Sequence, residues 1–447
     1  MILKPSYPKN YNATDLKKPS IKKSKKAKSN KKSKEKIPSL KKNEKKEIKN
    51  DQCNVIYLDN VNSSSLCLNA EKMYKKTING KSMKPSEKDK IVSTAKEYLL
   101  KTCNAETMYS IFFTSGEIES NTIFLCATVH AYKKIRQIKP HVVISAVEHE
   151  SIIKYANSLK DSDQIELTYI KPNIYGCILS EHIDSAIKSN TCCVLITYIN
   201  QELGSVNNIE KISKLLHDKK IPLHSNCSYL FGKHKLDLKK TNIDAVTISF
   251  DKINGPVGIG ALIIKNDLLK GYKLHEHSST LDNKGVDNIP AIASSIESIK
   301  FSLTNRKSKN QKLLKFRKEI INKLSAKCQL MLYSDFINSD EPPLEESTKS
   351  KNKLIVLGPP TSNECYFTPS ILSIALINNK KKTGLDIQNE LEKKNIIIGV
   401  PELDSIHIYN EIKMPKDIQN QIIRISLSDD ISQPDINKFI TTLQKML

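Results

Sequence analysis

Short apolar runs alternate with helix-like segments from residue 54 onward, and this alternation limits the fold more strongly than anything else in the sequence. The strand-like runs are 55–58, 111–114, 142–146, 165–170, 192–199, 245–250 and 260–264. Helix-like segments lie between them, for example at 120–135, 150–159, 181–188 and 209–218. Strands and helices that alternate at this spacing form a mostly parallel sheet with helices on both faces. We therefore predict an α/β fold.

The last third of the chain has a different pattern. Residues 306–330 predict one long helix with a polar face, and a shorter α+β portion follows it. A polar stretch at 339–353 is typical of an inserted loop, and a final helix is expected at about 434–447. A chain of 447 residues is long enough for two domains, each with its own core.

Most of the positive charge lies in an N-terminal tail. Residues 1–50 contain 18 lysines and four acidic residues, so they account for +14 of the net charge of +23. Residues 1–52 are poor in apolar side chains and are predicted to be disordered. The tail is typical of a solvated segment of biased composition. It is also compatible with a nuclear-localisation signal, an organelle-targeting segment or a segment that binds a polyanion. It is weak evidence for a nucleic-acid-binding fold, because motifs that read or stack on bases are missing.

The ten cysteines predict neither a metal site nor a disulfide framework. They form no Cys-x-x-Cys pair and no Cys/His ligand spacing, and Cys192 and Cys193 are adjacent within an apolar run that predicts a strand. Reduced intracellular thiols are the simplest interpretation. No apolar stretch approaches the roughly 20 residues that span a bilayer, and the N-terminus lacks the apolar core of a secretory signal.

A candidate nucleophile follows one of the predicted strands. Lys252 lies at the end of an apolar run, directly before the turn Gly255-Pro256-Val257-Gly258-Ile259-Gly260. Such a turn lets the backbone approach a ligand closely. Partial burial lowers the pKa of a lysine and frees its amine, so Lys252 is a candidate for Schiff-base chemistry.

The segment 249–260 resembles the lysine motif of cysteine desulfurases, Ser-x-His-Lys-x-x-Gly-Pro-x-Gly-x-Gly, with only the His replaced. Other segments resemble motifs of that family in the same order. They are Tyr57-Leu58-Asp59-Asn60, Phe113-Thr114-Ser115-Gly116-Glu117-Ile118-Glu119-Ser120-Asn121 (Phe-Thr-Ser-Gly-Ala-Thr-Glu-Ser-Asn in the family), Glu148-His149, Asn200-Gln201-Glu202-Leu203-Gly204, His224-Ser225-Asn226-Cys227-Ser228-Tyr229 (His-Thr-Asp-Ala-x-Gln in the family) and Ile423-Arg424-Ile425-Ser426-Leu427.

This resemblance covers roughly residues 54–447 and implies a fold of the pyridoxal-phosphate-dependent transferase type I. It implies a large domain at 71–305 with a mostly parallel sheet between helices, and a smaller α+β domain made of 54–70 with 306–447. It also implies pyridoxal 5'-phosphate as the cofactor, a two-fold dimer and no metal.

Several residues match functional positions of the family. Lys252 matches the Schiff-base lysine, and His149 matches the histidine that stacks on the cofactor ring and shuttles protons. Asn200 matches the residue beside the ring hydroxyl. Arg424 matches the arginine that binds the substrate carboxylate, and Asn200 also belongs to that substrate site. The remaining cofactor positions implied by the resemblance are Ser249, Gly116, Glu117, Ile118, Asn226 and Tyr229. From the sequence alone, His149 also suits a hydrogen-bonded histidine at a strand end, and Arg424 an ion-paired strand arginine.

Five cofactor positions depart from the family pattern. Asn226 replaces the Asp that keeps the ring nitrogen protonated, so the ring would be a weaker electron sink. Tyr229 replaces a Gln, and Ile118 replaces a Thr that binds the phosphate. Asp251 replaces the His before the lysine and brings a negative charge near the expected phosphate. Val286 replaces the Thr that reaches the phosphate across the dimer.

The sulfur acceptor of the family is also missing. Cysteine desulfurases carry a mobile-loop Cys in the small domain that accepts sulfur as a persulfide. The matching loop, 399–409, contains no Cys, and Asp404 lies nearest to that position. A carboxylate cannot accept sulfane sulfur, because the step needs a polarizable thiolate. The next thiol upstream is Cys365, about forty residues earlier.

The sequence favours a cysteine desulfurase-like protein, related to sulfur mobilisation for iron–sulfur cluster or thio-cofactor assembly, with impaired catalysis and a role through association. The partners so implied are a second copy, a related desulfurase, or sulfur-acceptor and iron–sulfur scaffold proteins. Two alternatives stay open, an active desulfurase or selenocysteine-lyase-like enzyme that uses another thiol, and a polyanion-binding protein that acts through its tail. The resemblance implies a mitochondrion or related organelle, while the tail leaves cytoplasm or nucleus open.

Overall fold

The computed structural model describes residues 55–78, 83–272, 287–338, 352–359, 366–377, 382–402 and 405–447. All of them belong to one compact unit, Cys53–Leu447. The predicted tail at 1–52 lies outside the described residues, as does all of the predicted polar loop at 339–353 except its last two residues.

Fifteen strands are present in the described part of the chain. They are β1 (Ile56–Leu58), β2 (Tyr109–Thr114), β3 (His141–Ser145), β4 (Glu166–Ile170), β5 (Thr191–Leu195), β6 (Ser205–Val206), β7 (Leu223–Asn226), β8 (Ala245–Ser249), β9 (Gly260–Lys265), β10 (Gln329–Leu332), β11 (Lys353–Val356), β12 (Tyr366–Phe367), β13 (Ile371–Ile377), β14 (Ile396–Ile398) and β15 (Ile422–Ser426).

Fifteen α-helices connect and cover these strands within the same described ranges. They are α1 (Leu68–Ile78), α2 (Pro85–Thr102), α3 (Glu117–Arg136), α4 (Glu150–Asp161), α5 (Ser180–Ala186), α6 (Ile209–Asp218), α7 (Leu238–Thr241), α8 (Asn266–Gly271), α9 (Ile289–Leu303), α10 (Arg306–Ser325), α11 (Tyr333–Ile337), α12 (Gly384–Glu392), α13 (Ile406–Glu411), α14 (Lys416–Gln419) and α15 (Gln433–Gln444).

A seven-stranded sheet forms the centre of the large α/β part, with the order β2-β9-β8-β7-β5-β3-β4. Only β9 runs antiparallel to its neighbours, so the predicted mostly parallel sheet is confirmed. Successive side chains of a strand point to opposite faces. Val142 and Ile144 therefore pack into the core on one face of the sheet, and Val143 packs into the core on the other.

A second sheet with its own core forms the smaller α+β part. Its order is β10-β11-β13-β15, with β1 and β14 paired in parallel beside it. Helices α10 and α15 supply Phe316 and Phe439 to a core that also contains Ile374 and Ile425 from the sheet. The last helix begins with a capping box, in which Ser432 and Asp435 satisfy each other's backbone N–H groups.

The predicted strands and helices are found with ends shifted by a few residues, with two larger corrections. The predicted 306–330 helix ends at Ser325, and residues 329–332 form β10 instead, because Gln329–Leu332 pair in parallel with Lys353–Val356. The predicted 192–199 strand ends at Leu195. Cys192 and Cys193 lie in β5 as predicted, with their Sγ atoms 3.8 Å apart and both thiols free.

The parallel strands bring their carboxyl ends to one edge of the large sheet. In α/β sheets this edge is where ligands bind. The segments after β2, β3, β5, β7 and β8 all emerge there. A close backbone contact fixes the corner, since a Cβ added to Gly260 would lie 2.7 Å from the Cα of Gly116. Gly116 itself has a φ of +151°, which other residues rarely adopt.

No helix in the described ranges is both long enough and apolar enough to cross a membrane.

Candidate active site

A cavity of about 160 Å³ opens at the carboxyl edge of the large sheet. Residues from both sheet regions line it, including the end of β1 and the segments around α13 and β15. The lining residues are Val61, Asn62, Glu117, His149, Glu150, Gln201, Glu202, Tyr229, Lys252, Glu402, Ser405 and Arg424. The cavity therefore brings together four of the residues predicted from the sequence to hold cofactor, and the predicted substrate clamp Arg424.

Lys252 is held by a short 3₁₀ turn, Phe250–Ile253, that follows β8. Its side chain is nearly buried, and its Nζ donates a hydrogen bond of 2.5 Å to the main-chain oxygen of Asn62. The same Nζ lies 3.0 Å from a carboxylate oxygen of Asp251. The predicted Schiff-base lysine thus reaches the cavity as an ion-paired group.

Asp251 also binds the hydroxyl of Ser249, the residue that the family resemblance places at the cofactor. Its second carboxylate oxygen accepts a hydrogen bond of 2.5 Å from the Oγ of Ser249. Its main-chain oxygen accepts the backbone N–H of Ser64 at 2.9 Å, which ties the turn to the segment after β1. The Ser249 hydroxyl is therefore already committed to a neighbouring carboxylate.

Glu117 links two of the predicted cofactor positions. It is the first residue of α3, and its side chain is almost fully buried. One carboxylate oxygen lies 3.3 Å from Nε2 of His149. The other accepts a hydrogen bond of 3.3 Å from the amide of Asn226. The carboxylate bridges the two side chains that the family resemblance places at the face and at the nitrogen of the cofactor ring.

The hydrogen bonds of His149 define its proton arrangement. His149 caps the N-terminus of α4, where its Nδ1 accepts the backbone N–H of Ser151 at 3.2 Å. A neutral imidazole that accepts at Nδ1 carries its proton on Nε2. The protonated Nε2 lies 3.3 Å from a carboxylate oxygen of Glu117. His149 thus has a capping role as well as a place on the cavity wall.

Asn226 is the last residue of β7, and Tyr229, three residues later, lines the cavity. The Asn226 side-chain oxygen accepts the backbone N–H of Ser228 at 3.0 Å, so its amide nitrogen faces Glu117. The Tyr229 hydroxyl donates to the main-chain oxygen of Val61 at 3.3 Å. The Nζ atoms of Lys252 and Lys233 lie 5.8 and 5.9 Å from the centre of the Tyr229 ring.

Asn200 does not line the cavity. Its side-chain oxygen accepts the backbone N–H groups of Glu202 and Leu203, each at 2.9 Å. Its amide donates to the main-chain oxygen of Val147 at 3.1 Å. The side chain is fully buried and holds the turn after β5. Gln201 and Glu202 from that turn face the cavity instead.

Arg424, on β15, is buried in an ion cluster. Its guanidinium contacts the carboxylates of Glu202 and of Asp59, the latter at 3.1 Å. Burial alone would lower the pKa of Arg424, but these two carboxylates raise it above the ordinary value. The hydroxyl of Tyr409 completes the cluster by donating to Glu202 at 2.9 Å. A Cβ at Gly399 would lie 2.7 Å from Asp59, so only glycine fits there.

Two described residues of the predicted loop at 399–409 contribute to the cavity wall. Glu402 and Ser405 line the cavity, and the Nε2 of His407 lies 3.0 Å from the main-chain oxygen of Glu148. Asp404, Val286 and Cys365 lie outside the described residues. Among the described cysteines, Cys227 comes directly after β7, but it is fully buried, and burial raises the pKa of its thiol.

The cavity wall carries more acidic side chains than basic ones. Four glutamates, Glu117, Glu150, Glu202 and Glu402, line it. The two cations, Lys252 and Arg424, are both ion-paired with carboxylates. Behind the wall, burial raises the pKa of Glu148 to about 8, so this carboxyl holds its proton near neutral pH.

Some site features escaped the sequence analysis. Of the three predicted cofactor positions in this turn, Gly116, Glu117 and Ile118, only Ile118 is largely exposed, at 58%. The bridging role of Glu117 was missed, although a signal for it was present, because the family turn has Ala at this position. The acidic partners of Arg424 were missed because a sequence does not show which carboxylates share a buried space.

The comparisons with known proteins agree with this architecture. The profile of the class-V aminotransferase family, described as Aminotransferase class-V, matches residues 56–296. A NifS-like protein of known structure superimposes with a TM-score of 0.72 at 18% identity, covering 88% of this chain and 99% of that chain. A structure titled as the apo cysteine desulfurase of Thermococcus onnurineus NA1 gives a TM-score of 0.69 at 16% identity, with coverages of 88% and 94%. The fold is therefore that of the NifS-like, pyridoxal-phosphate-dependent fold type I proteins.

The chain belongs to the class-V aminotransferase family and is similar to the cysteine desulfurases of that family. It is 36% identical to the cysteine desulfurase IscS of Plasmodium falciparum over 179 residues, which are 40% of this chain and 32% of that relative. It is 25% identical to the cysteine desulfurase IscS of Clostridium botulinum (strain Kyoto) over 368 residues, which are 80% of this chain and 84% of that relative. The match thus spans about a third of the Plasmodium relative and most of the bacterial one. The family is pyridoxal-phosphate-dependent, and its cysteine desulfurase members commonly dimerise and work with sulfur acceptors.

Glu148 should make the stability of the protein pH-dependent. Its pKa is raised in the folded state, so the folded protein retains a proton that the unfolded chain releases above pH 4.5. Stability from this group is complete below pH 4.5 and is lost as the pH rises toward 8, at up to about 1.4 kcal/mol per pH unit. Glu148→Gln should flatten the change of melting temperature over this range. The matched variant Glu150→Gln should leave the profile as it is, and equal profiles for Glu148→Gln and the unmodified protein would contradict the assignment.

Proposed function

We propose that this chain is a cysteine desulfurase-like protein that does not run the desulfurase reaction itself and acts in sulfur mobilisation through association with another protein. The bridge formed by Glu117 between His149 and Asn226 is the observation on which the proposal depends.

The residues at the ring position do not fit the cofactor. By family resemblance, the ring would lie against His149 with its nitrogen at Asn226. The Glu117 carboxylate contacts both side chains, so it takes up the space between them. The cavity is about 160 Å³, smaller than the roughly 300 Å³ at which ligand sites usually begin. Asn226 is neutral and supplies no charge to hold a protonated ring nitrogen.

The phosphate position does not fit either. Asp251 holds the Ser249 hydroxyl and the Lys252 amine, and its carboxylate would repel a phosphate. Ile118 offers no side-chain donor. Each charge-assisted hydrogen bond to a phosphate contributes about 1.5–3 kcal/mol, so the loss of two weakens binding by roughly 100-fold or more.

Sulfur transfer also lacks its acceptor. The loop sequence at 399–409 contains no cysteine, and no described cysteine lines the cavity. The Arg424 clamp is already neutralised by Glu202 and Asp59, so the carboxylate of a substrate would have to displace an internal partner. The three requirements of the family reaction, which are cofactor, substrate clamp and thiolate, are weakened independently.

The proposal includes the predicted division into a large domain at 71–305 and a small domain of 54–70 with 306–447. One face of the smaller sheet packs into a core of its own with Phe316 and Phe439, which supports this division. The other face, with Ile355 and Ala375, packs against the core of the large sheet. The cavity lies between residues of the two parts. For localisation, we propose an organelle of the kind that houses iron–sulfur cluster assembly, on the resemblance to the Plasmodium relative.

The first test uses the unmodified protein. After incubation with excess pyridoxal phosphate and desalting, it should show no near-visible absorbance of bound cofactor. It should release no sulfide from cysteine above buffer, while an active cysteine desulfurase assayed in parallel serves as the positive control. Enzymes typically turn over about 10 times per second. A coloured protein with even a hundredth of that rate would refute impaired catalysis, and Cys227 and Cys365 would then be the thiols to mutate first.

The second test restores the family residues at the cofactor positions and removes the Glu117 carboxylate. A variant with Glu117→Ala, Ile118→Thr, Asn226→Asp and Asp251→His should bind pyridoxal phosphate at least roughly 100-fold more tightly, because it regains space, two donors and a charge. It should still release no sulfide until Asp404→Cys is added. As a control, Glu150→Ala removes an acidic residue from the same cavity without touching the bridge, and it should leave cofactor binding unchanged. An unaltered affinity after the four substitutions would show that the bridge is not the obstacle.

The third test concerns association. Ile118, next to Glu117 in the sequence, and Val257, in the turn after Lys252, are 58% and 75% exposed. We propose that a second subunit of the same family covers them. In sedimentation at micromolar concentration, the protein should form a dimer alone or with a desulfurase of the same cell. Ile118→Glu or Val257→Glu should weaken this dimer at least tenfold. Leu385→Glu, at a position that is 56% exposed on α12, serves as the control. A monomer in both mixtures would contradict the proposal.

A further inference from the structure

A second group of reactive side chains lies on the outer face of the large domain, between α3 and α4. Cys126 and His130 are one turn apart on α3, and the Cys126 Sγ lies 3.6 Å from the His130 Nδ1. Tyr155 from α4 contacts the same thiol through its hydroxyl group, and the combination of burial and this contact raises the pKa of Tyr155. The three side chains therefore combine a nucleophile, a base and a hydrogen-bond donor.

The group faces an open cavity of about 310 Å³. Cys126, His130 and Tyr155 lie on its wall beside the apolar side chains of Val129 and Leu159. This volume reaches the lower end of the range for small-molecule sites, about 300 Å³.

Cys126 differs from the other thiols in the described part of the chain. Seven of the eight cysteines there are buried, whereas Cys126 is half-exposed. A buried thiol in apolar surroundings is inert, while an accessible one beside a histidine is the environment of a reactive cysteine. The lone accessible thiol among the described cysteines thus lies where a base and a cavity accompany it.

We propose that Cys126 accepts sulfane sulfur from a persulfide, with His130 as its base and Tyr155 as the donor to its thiolate. This inference builds on the proposed role in sulfur mobilisation and gives that role a thiol away from the central cavity. The donor is either a small-molecule persulfide or a persulfidated protein. In both, the group that is transferred is the terminal sulfane sulfur.

The transfer step is balanced without an oxidant. His130 Nδ1 takes the proton of Cys126, and the Sγ thiolate attacks the terminal sulfur of the donor persulfide. A new S–S bond forms to Cys126 as the S–S bond of the donor breaks. The electron pair of the broken bond stays on the donor sulfur, which leaves as a thiolate and takes up the proton from His130. Sulfane sulfur changes carrier, and the sum of oxidation states is unchanged.

The test supplies the persulfide from outside, so its result does not depend on the catalytic state of the central cavity. The full-length protein is incubated either with cysteine persulfide or with a persulfidated cysteine desulfurase, then alkylated and mapped by peptide mass spectrometry. We expect the Cys126 peptide to gain one sulfur atom in at least one arm, and the arm that labels it identifies the source. No added sulfur on Cys126 in either arm would overturn the proposal, whether or not the protein binds pyridoxal phosphate.

Variants separate the chemistry from folding. Cys126→Ser should abolish labelling at this peptide, whereas Cys328→Ala, at a buried thiol of the smaller core, should leave it unchanged. His130→Ala retains the thiol and should slow labelling at least about tenfold, with the loss largest near neutral pH, where a base is needed. A His130→Ala rate and pH profile equal to those of the unmodified protein would overturn the role of His130 as the base.

Discussion

The buried ion cluster around Arg424 holds the two halves of the site together. Arg424 lies on β15 of the smaller sheet, Asp59 follows β1, and Glu202 lies in the turn after β5 of the large sheet. Removing one partner of such a buried pair costs about 3–5 kcal/mol, because a charge is left uncompensated. The cluster fixes the distance between the sheets, and with it the cavity in which Glu117, His149 and Lys252 meet.

This arrangement explains how a family site can keep its shape while its ligand contacts change. Residues that support the framework are retained, including the Asn200 amide that holds the turn after β5 and the Gly116–Gly260 contact at the corner. The substituted positions, Glu117, Asn226 and Asp251, now satisfy one another and their neighbours. Lys252 and Arg424, the two cations of the cavity wall, therefore have carboxylate partners within the protein itself.

The sequence predicted the large sheet well, because its strands are buried and stand out as continuous apolar runs between helices. Helices α1, α2 and α9 were not identified. In α1 and α2 lysines interrupt the apolar pattern, and α9 is largely buried, so it shows no polar face. β10 was taken for the end of a helix because its neighbour β11 comes more than twenty residues later, and only pairing distinguishes the two states.

For the site, motif order identified which residues would meet but not what they would contact. His149, Lys252 and Arg424 were located by position in the family motifs, whereas their partners Glu117, Asp251 and Glu202 come from side chains whose direction the sequence does not encode. Asn200 matched a family motif for the cofactor site, yet its side-chain amide forms hydrogen bonds with backbone groups instead. Contacts of this kind depend on rotamers and on which polar groups share a low-dielectric space, and neither is visible in a linear pattern.

Helix α3 relates the two sites that the protein presents. Its first residue, Glu117, enters the central cavity, and Cys126 lies nine residues further along. With a rise of 1.5 Å per residue, the two are separated by about 14 Å along the helix axis. Glu117 lies at the N-terminal end of the helix and Cys126 near its middle, and the two side chains line different cavities. The proposed loss of the cofactor-driven reaction and the proposed thiol chemistry are therefore compatible within one fold, because they depend on different parts of the same helix.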